Sequence, residues 1–196
     1  MPRKLRNIGQ GKTHHCYTRC HGRKNLLLGK YGKKYFIEAV QMCQKKYEFE
    51  LIAAEIVADH MHLVIKTLDD KASISRIMQY IKARIAEKFN REMKTSGSYW
   101  NERFGSTVIE DEENPEEYLL WLLWYIGYNP VRKRLSADPR KNEIGFINAY
   151  LDENYKLPII ITLHKYFLKL GDSFHQCVLK FLQWEDKYRK RIAVNF

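Results

Sequence analysis

Two stretches of this chain, far apart in sequence, carry residue types and spacings that bear on chemistry. They are Ala58-Asp59-His60-Met61-His62-Leu63-Val64-Ile65 and Trp124-Tyr125-Ile126-Gly127-Tyr128-Asn129-Pro130. The first reads as a β-strand. Residues i and i+2 of a strand share a face, so His60 and His62 stand side by side while Met61 and Leu63 point the other way. Two imidazoles on one surface make half of a metal site, although a His-x-His pair on a strand is, taken alone, more often structural. The second stretch reads as a helix end. Tyr125 and Asn129 are four residues apart and share a side, about one turn or ~5.4 Å along the axis. If that end packs near the sheet, the Asn129 carboxamide oxygen can join His60 and His62 around a cation, with Tyr125 one turn away. Two imidazoles and one oxygen leave coordination positions open, which a catalytic metal needs. A phosphodiester polarised there is open to attack by the Tyr125 phenol, giving a phosphotyrosine linkage. A free phenol has a pKa of ~10 and must be activated; the sequence names no base for it.

The charge balance suits such a substrate. The formal net charge is +11 over 196 residues, and no acidic residue occurs before Glu38. Arg3, Lys4, Arg6, Lys12, Arg19, Arg23 and Lys24 fall in that acid-free stretch and, with Arg103 and Arg132, are the candidate nucleic-acid contacts. A polyanion is the natural partner of this excess. No apolar run is long enough to span a bilayer, and the basic start is not followed by an apolar stretch as in a signal peptide, so a cytoplasmic location is expected. The four cysteines fit a reducing compartment. Cys16 and Cys20 lie among His14, His15 and His21, but Cys43 and Cys177 make no second close pair for a closed zinc site. Cys16 and Cys20 are therefore read as strand residues.

The elements that must position these groups follow in order. Residues 1–12 form a basic arm, 14–21 a first strand, and 22–32 a basic loop. Phe36, Ala39, Val40, Cys43 and Tyr47 form a helical stripe over 35–47. Residues 49–57 are a strand that turns at Ala58-Asp59 into the histidine strand. Ser73 can cap a long helix that buries Ile74, Ile77, Ile81, Ile85 and Phe89. Its other face, with Arg76, Lys82, Arg84, Lys88 and Arg91, is either solvated or tracks a phosphate backbone. Residues 106–110 form a short fourth strand. Asn114 is an N-cap, Pro115 sits in the first turn, and Glu116 and Glu117 complement the helix dipole at the start of the helix that carries Tyr125. Asn129 precedes proline and so lies at or just past the end of that helix. This order predicts an α+β, ferredoxin-like or RRM-like antiparallel sheet with helices on one face. Residues 1–135 make up that unit. Residues 136–142 are a polar connection, and 143–196 are expected to be mostly helical. Thus 136–196 form a C-terminal helical extension whose last helix is capped by Asp172 or Ser173. A helix-turn-helix around Leu170-Gly171 is the alternative to a plain helical appendage.

The chain resembles the single-tyrosine HUH transposases, in particular the REP-associated tyrosine transposases of the IS200-like kind. Val57-Ala58-Asp59-His60-Met61-His62-Leu63-Val64 is similar to the family's His-hydrophobic-His strand, with Ala58 where the family often has proline. Ser98-Tyr99-Trp100-Asn101-Glu102-Arg103-Phe104 is similar to its Trp-x-x-Arg-Phe segment. Tyr118-Leu119-Leu120 through Tyr125-Ile126-Gly127-Tyr128-Asn129-Pro130-Val131-Arg132 resembles its tyrosine helix and Asn-Pro-Val end, and His21-Gly22-Arg23-Lys24 fits the end of its first strand. The likeness covers roughly residues 10–135. It implies a catalytic Tyr125, with His60, His62 and Asn129 as ligands of Mg²⁺ or Mn²⁺. It implies single-stranded DNA with a foot hairpin as substrate and a 5′-phosphotyrosine intermediate, with strand transfer that needs no nucleotide cofactor. A homodimer is one expected state, since in some dimers of the family the tyrosine helix serves the partner's site.

Aromatic residues on an apolar helix are usually core, and for Tyr125 only the resemblance reverses that reading. Tyr128 is its nearest competitor but lacks the four-residue spacing to Asn129. Two other function classes stay open: a DNA-binding protein that keeps the fold without turnover, and a metal-dependent hydrolase that uses water. RNA in place of DNA is not excluded by charge.

Overall fold

The computed structural model describes residues 9–193 other than 102 and 143. Its elements run β1 (Thr13–Arg19), α1 (Gly29–Lys46), β2 (Glu50–Ile56), β3 (His60–Lys66), α2 (Ile74–Glu92), β4 (Gly105–Val108), α3 (Pro115–Gly127), a single turn α4 (Asn129–Arg132), α5 (Lys165–Leu168) and α6 (Phe174–Ala193). The four strands form one antiparallel sheet in the order β2-β3-β1-β4, the split-βαβ arrangement expected from the element order.

Strand alternation sorts side chains into two cores. Cys16, Ala54, Met61, Leu63 and Ile65 face α1 and α2, where Phe36, Val40, Ile77 and Ile81 meet them. Val64, Ile52 and Ala53 face the other way, toward α3. A register shift between Leu51 and Ala53 breaks the period-two pattern of β2 and puts consecutive residues Ile52 and Ala53 into the same core. Helices α1 and α2 thus occupy one face, while the opposite face carries the histidines and receives α3.

The local signals act as the sequence suggests. Ser73 accepts from the Arg76 amide at 3.4 Å and starts α2; Asn114 accepts from the Glu117 amide at 3.5 Å and starts α3. The Val57 amide bonds the His60 carbonyl at 2.9 Å and closes the β2–β3 turn. Cys16 and Cys20 are buried strand-side residues, and none of the four cysteines is in a disulfide.

Two expectations need correction. Helix α1 begins at Gly29, inside the stretch read as a basic loop. Gly32, the last residue of that stretch, lies in the first turn of α1 against the Leu27 backbone; a Cβ would fall 2.4 Å from the Leu27 carbonyl oxygen. Residues 143–196 are also less helical than expected. Among the described residues, helix is confined there to a 3₁₀ segment Phe146–Tyr150, α5 and α6, while 151–164 run without regular structure around the edge of β2. Backbone groups of that run are satisfied by the sheet and by α1: the Thr162 amide bonds Leu51 O at 2.7 Å, and Gln41 and Gln44 hold the carbonyls of Pro158 and Ile160. Ser173 does cap α6, accepting from the Gln176 amide at 3.3 Å. With α5 only one turn long, the α5–α6 pair is an appendage rather than a helix-turn-helix.

The extension has no core separate from the sheet. Phe146, Tyr150, Phe167, Phe181 and Tyr188 pack with Trp124 and Leu123 of α3, and Trp124 Nε1 donates to Phe181 O at 3.0 Å. A buried Glu185 carboxylate accepts from Tyr128 Oη at 2.6 Å and is paired with Arg140. At the other end, His164 Nδ1 accepts from the Tyr166 amide, so its Nε2 proton goes to Thr13 Oγ1 at 3.1 Å. Burial pushes the His164 pKa down to about 4 and keeps this clasp neutral. The C-terminal segment is thereby fixed to both α3 and β1.

Candidate active site

The β1–β3 register builds the site. Arg19 pairs with His60 and Tyr17 with His62, and His15 stands two residues further along β1. Neighbours directly across and diagonally across a ladder share a face. Arg19, Tyr17, His15, His60 and His62 therefore form one polar patch on the face opposite α1 and α2. Helix α3 crosses beside it and brings Tyr125 within 5.9 Å of His62, ring centroid to centroid and edge to face. The resulting cavity of about 410 Å³ is lined by His15, Tyr17, Thr18, Arg19, His60, His62, Asn101, Arg103, Gly105 and Tyr125. No carboxylate is among those lining residues. Gly105 lies opposite Tyr17 in the register, and a Cβ there would fall 2.2 Å from the Tyr17 ring, so the ring rests over Gly105 only while that position lacks a side chain.

Both site histidines use Nδ1 for support. His60 Nδ1 lies 2.7 Å from Asp59 Oδ1, and the second Asp59 oxygen meets Arg19 Nε at 3.3 Å. Burial lowers the His60 pKa, with Asp59 opposing; Asp59 itself is held below the carboxylate range by His60 and Arg19 despite its own desolvation. His62 Nδ1 lies 3.0 Å from His15 Nε2. Burial pushes His62 well below the ordinary histidine value and takes His15 down to about 4. All three imidazoles are neutral at pH 7, the form that ligates cations. His62 Nε2 is buried and has no hydrogen-bond partner among the described residues. A buried ring nitrogen left over at this position, beside a second histidine whose Nδ1 is engaged by Asp59, fits a cation ligand. Among the described residues no three His, Cys, Asp or Glu side chains converge as a metal cluster, so a bound ion would draw its remaining ligands from a carboxamide, water or substrate oxygen.

The expected residues divide by location. Tyr125, His60, His62, Arg19 and Arg103 reach the cavity, and the exposed Arg132 guanidinium lies 5.5 Å from the Tyr125 ring centre. Asn129 is buried at the α3–α4 junction, where its Nδ2 donates to the Tyr125 carbonyl at 3.2 Å; it is not among the cavity lining. Lys12 sits just before β1, seven residues from Arg19 and so ~23 Å from it along the strand, and is paired with Asp111 at 2.6 Å. Arg23 and Lys24 are exposed in the turn after β1. Arg3, Lys4 and Arg6 lie outside the described residues. Tyr128 points to Glu185, and burial together with that carboxylate raises its pKa beyond the ordinary phenol value. His15, Tyr17, Asp59 and Asn101 are site residues for which sequence reasoning found no role. The period-two run His15-x-Tyr17-x-Arg19 was the available signal, but it needs the register of β1 against β3 to acquire meaning.

Comparison with known proteins bears on the family and the fold. A family model described as "Transposase IS200 like" matches residues 10–119, more than half of the chain. The chain belongs to the IS200-like transposase family. A Haemophilus influenzae protein assigned as a REP-associated tyrosine transposase is 26% identical over 106 residues, which is 50% of this chain and 58% of that protein. The chain thus matches little more than half the length of that relative. A solved structure of a REP-associated tyrosine transposase bound to a REP hairpin superposes with a TM-score of 0.62 at 17% identity, over 84% of this chain and 94% of that one. This likeness is one of fold, and it includes a large part of the extension as well as the sheet. No helix among the described residues is long and apolar enough to cross a membrane.

Proposed function

We propose that this transposase-family chain cleaves single-stranded DNA beside a hairpin and rejoins it through a covalent 5′-phosphotyrosine intermediate on Tyr125. The observation that carries this reading is the convergence of Tyr125 with His60 and His62 in one cavity. The solved fold relative was captured with a REP hairpin, which supports a hairpin as the recognised element.

In this reading the Tyr125 oxygen attacks phosphorus, a Tyr125 Oη–P bond forms and the P–O3′ bond breaks. The phenol loses its proton, and the departing 3′ oxygen gains one to become the hydroxyl of the upstream strand. That hydroxyl later reverses the step on a second 5′-phosphotyrosine, so the phosphodiester energy is conserved and no nucleotide cofactor is consumed. Arg19 and Arg103 at the cavity and Arg132 over the Tyr125 ring neutralise the phosphate and orient it for in-line attack. The exposed Tyr17 ring beside His62 offers a stacking surface for a base. His60 and His62 would hold Mg²⁺ or Mn²⁺ through their Nε2 atoms, and the chemistry such an ion supplies is Lewis-acid charge at a phosphate oxygen. Asn129 acts through Tyr125: its bond to the Tyr125 carbonyl ties the start of α4 to the turn that bears the nucleophile, leaving its carboxamide oxygen as the group to test as a ligand.

The experiment mixes the protein with labelled, hairpin-bearing single-stranded oligonucleotides and Mn²⁺ on a denaturing gel. A DNA-shifted protein band that disappears with EDTA and with Tyr125→Phe is the expected result. Cleavage without such a band would transfer the reading to a hydrolase using water. Binding with neither would leave a DNA-binding protein without turnover.

A further inference from the structure

His60 and His62 are supported by two unlike groups. Asp59 can only accept a hydrogen bond, so it fixes the proton of His60 on Nδ1 and leaves Nε2 as a lone pair. His62 Nδ1 instead meets another imidazole, His15 Nε2, at 3.0 Å. A neutral imidazole nitrogen can donate or accept, so this pair has two tautomeric arrangements, with opposite consequences for the site.

The ring geometry shows how directly the two are joined. The centroids of His15 and His62 are 5.2 Å apart and their planes differ by 18°. That separation is close to the largest a 3.0 Å N···N contact permits, being the contact plus one ring radius at each end. The contact therefore lies along the line of centres and in the plane of both rings, where the N–H and the lone pair point. The two imidazoles are hydrogen-bonded edge to edge rather than stacked face on face. Both side chains are buried, and the register places His15 diagonally across from His62.

If His15 donated from Nε2, the proton of His62 would sit on its own Nε2, an atom that is buried with no acceptor among the described residues. A buried donor without a partner is the costly case. In the other arrangement His62 donates from Nδ1 to His15, and Nε2 carries a lone pair next to His60. We infer that His15 is a positioning residue that accepts the Nδ1 proton of His62 and so commits His62 Nε2 to a cation. This inference rests on the metal-binding reading above. It adds a third histidine, 47 positions from His62 in sequence, which acts through His62.

The test has two parts that fail separately. Proton–nitrogen correlation spectra of the metal-free wild-type chain at neutral pH report the tautomer directly: His62 is expected with its proton on Nδ1 and a pyridine-like Nε2. A proton on Nε2 overturns the inference without any variant. Calorimetric titration with MnCl₂ then compares wild type with His15→Leu and His15→Gln. Leu removes the acceptor and is expected to weaken Mn²⁺ binding about 10- to 100-fold, the usual cost of losing an outer-shell partner. Gln restores an acceptor oxygen and is expected to stay close to wild type, a rescue that a purely space-filling role for His15 would not produce. Equal Mn²⁺ affinity of wild type and His15→Leu would overturn the inference and leave the metal reading standing. A wild-type chain that binds no Mn²⁺ would remove the metal reading, and the assigned role of His15 with it, even if the tautomer is as expected.

Discussion

Glu55 lies opposite His62 in the sheet register, one strand further out, and its side chain is buried. One carboxyl oxygen accepts from Asn142 Nδ2 at 2.6 Å and from the Ile56 amide at 3.0 Å; the other is buried without a partner among the described residues. Burial raises its pKa from 4.5 to about 8, against the pull of those two hydrogen bonds and the charge of Lys33. Glu55 is therefore protonated in the folded protein at neutral pH and ionised in the unfolded chain. Between pH 4.5 and 8 the folded state binds one more proton, so stability falls as pH rises, by about 1.4 kcal/mol per pH unit. The contribution is complete below pH 4.5 and gone above pH 8. Glu55→Gln keeps the acceptor and removes the titration. From about pH 5 to about pH 7.5 the wild type should lose on the order of 3 kcal/mol relative to Glu55→Gln, or roughly 6–12 °C in Tm for a chain of this size. Chemical and thermal melts of both proteins across that range measure the difference. Parallel pH profiles of wild type and Glu55→Gln would refute the reasoning and mean that water reaches this carboxyl.

Three further outcomes follow from named contacts. Glu185→Ala strands the Tyr128 hydroxyl where α6 meets α3 and leaves the half-exposed Arg140 paired to Asp138 alone among these carboxylates; the expected loss is about 1–3 kcal/mol in denaturant melts, and a loss under ~0.5 kcal/mol would mean that the network is not a fastening. Tyr128→Phe is expected to lower Tm while still forming the covalent DNA adduct, whereas Tyr125→Phe, at a half-buried position, should lose the adduct with little change in Tm; the reverse pattern would exchange the roles of the two tyrosines. Arg103→Ala and Arg19→Ala should each shrink the salt slope of single-stranded DNA binding by about 0.7, while Lys12→Ala, at the far end of β1 and paired with Asp111, should leave it unchanged; a Lys12→Ala effect as large as that of Arg103→Ala would show that DNA runs the length of the strand.

Much of the frame is written locally. The alternation of His60, Met61, His62 and Leu63 fixes which side chains share a face, because a strand has period two. Ser73 and Asn114 announce their helices because the first amides of a helix need acceptors. The isoleucine stripe over 74–85 names the buried side of α2. The stretches that resemble the family were legible for the same reason: each is a short run with its own geometry.

What the sequence left open depends on groups meeting from distant positions. His15 and His62 form their contact only because β1 lies beside β3 in one particular register, and shifting that register by one residue would turn His15 to the opposite face. Tyr125 and Tyr128 look alike on an apolar helix. They differ because Glu185, 57 positions from Tyr128, arrives on α6 and engages it, whereas Tyr125 remains against the histidines. Lys12 and Arg103 are equally basic in the sequence, yet one is paired with Asp111 and the other borders the cavity. The sequence by itself determined the order of elements and the faces on which their chemistry stands. Tertiary structure alone decided which of those groups are partners, because a hydrogen bond or an ion pair requires ångström proximity that local periodicity does not specify.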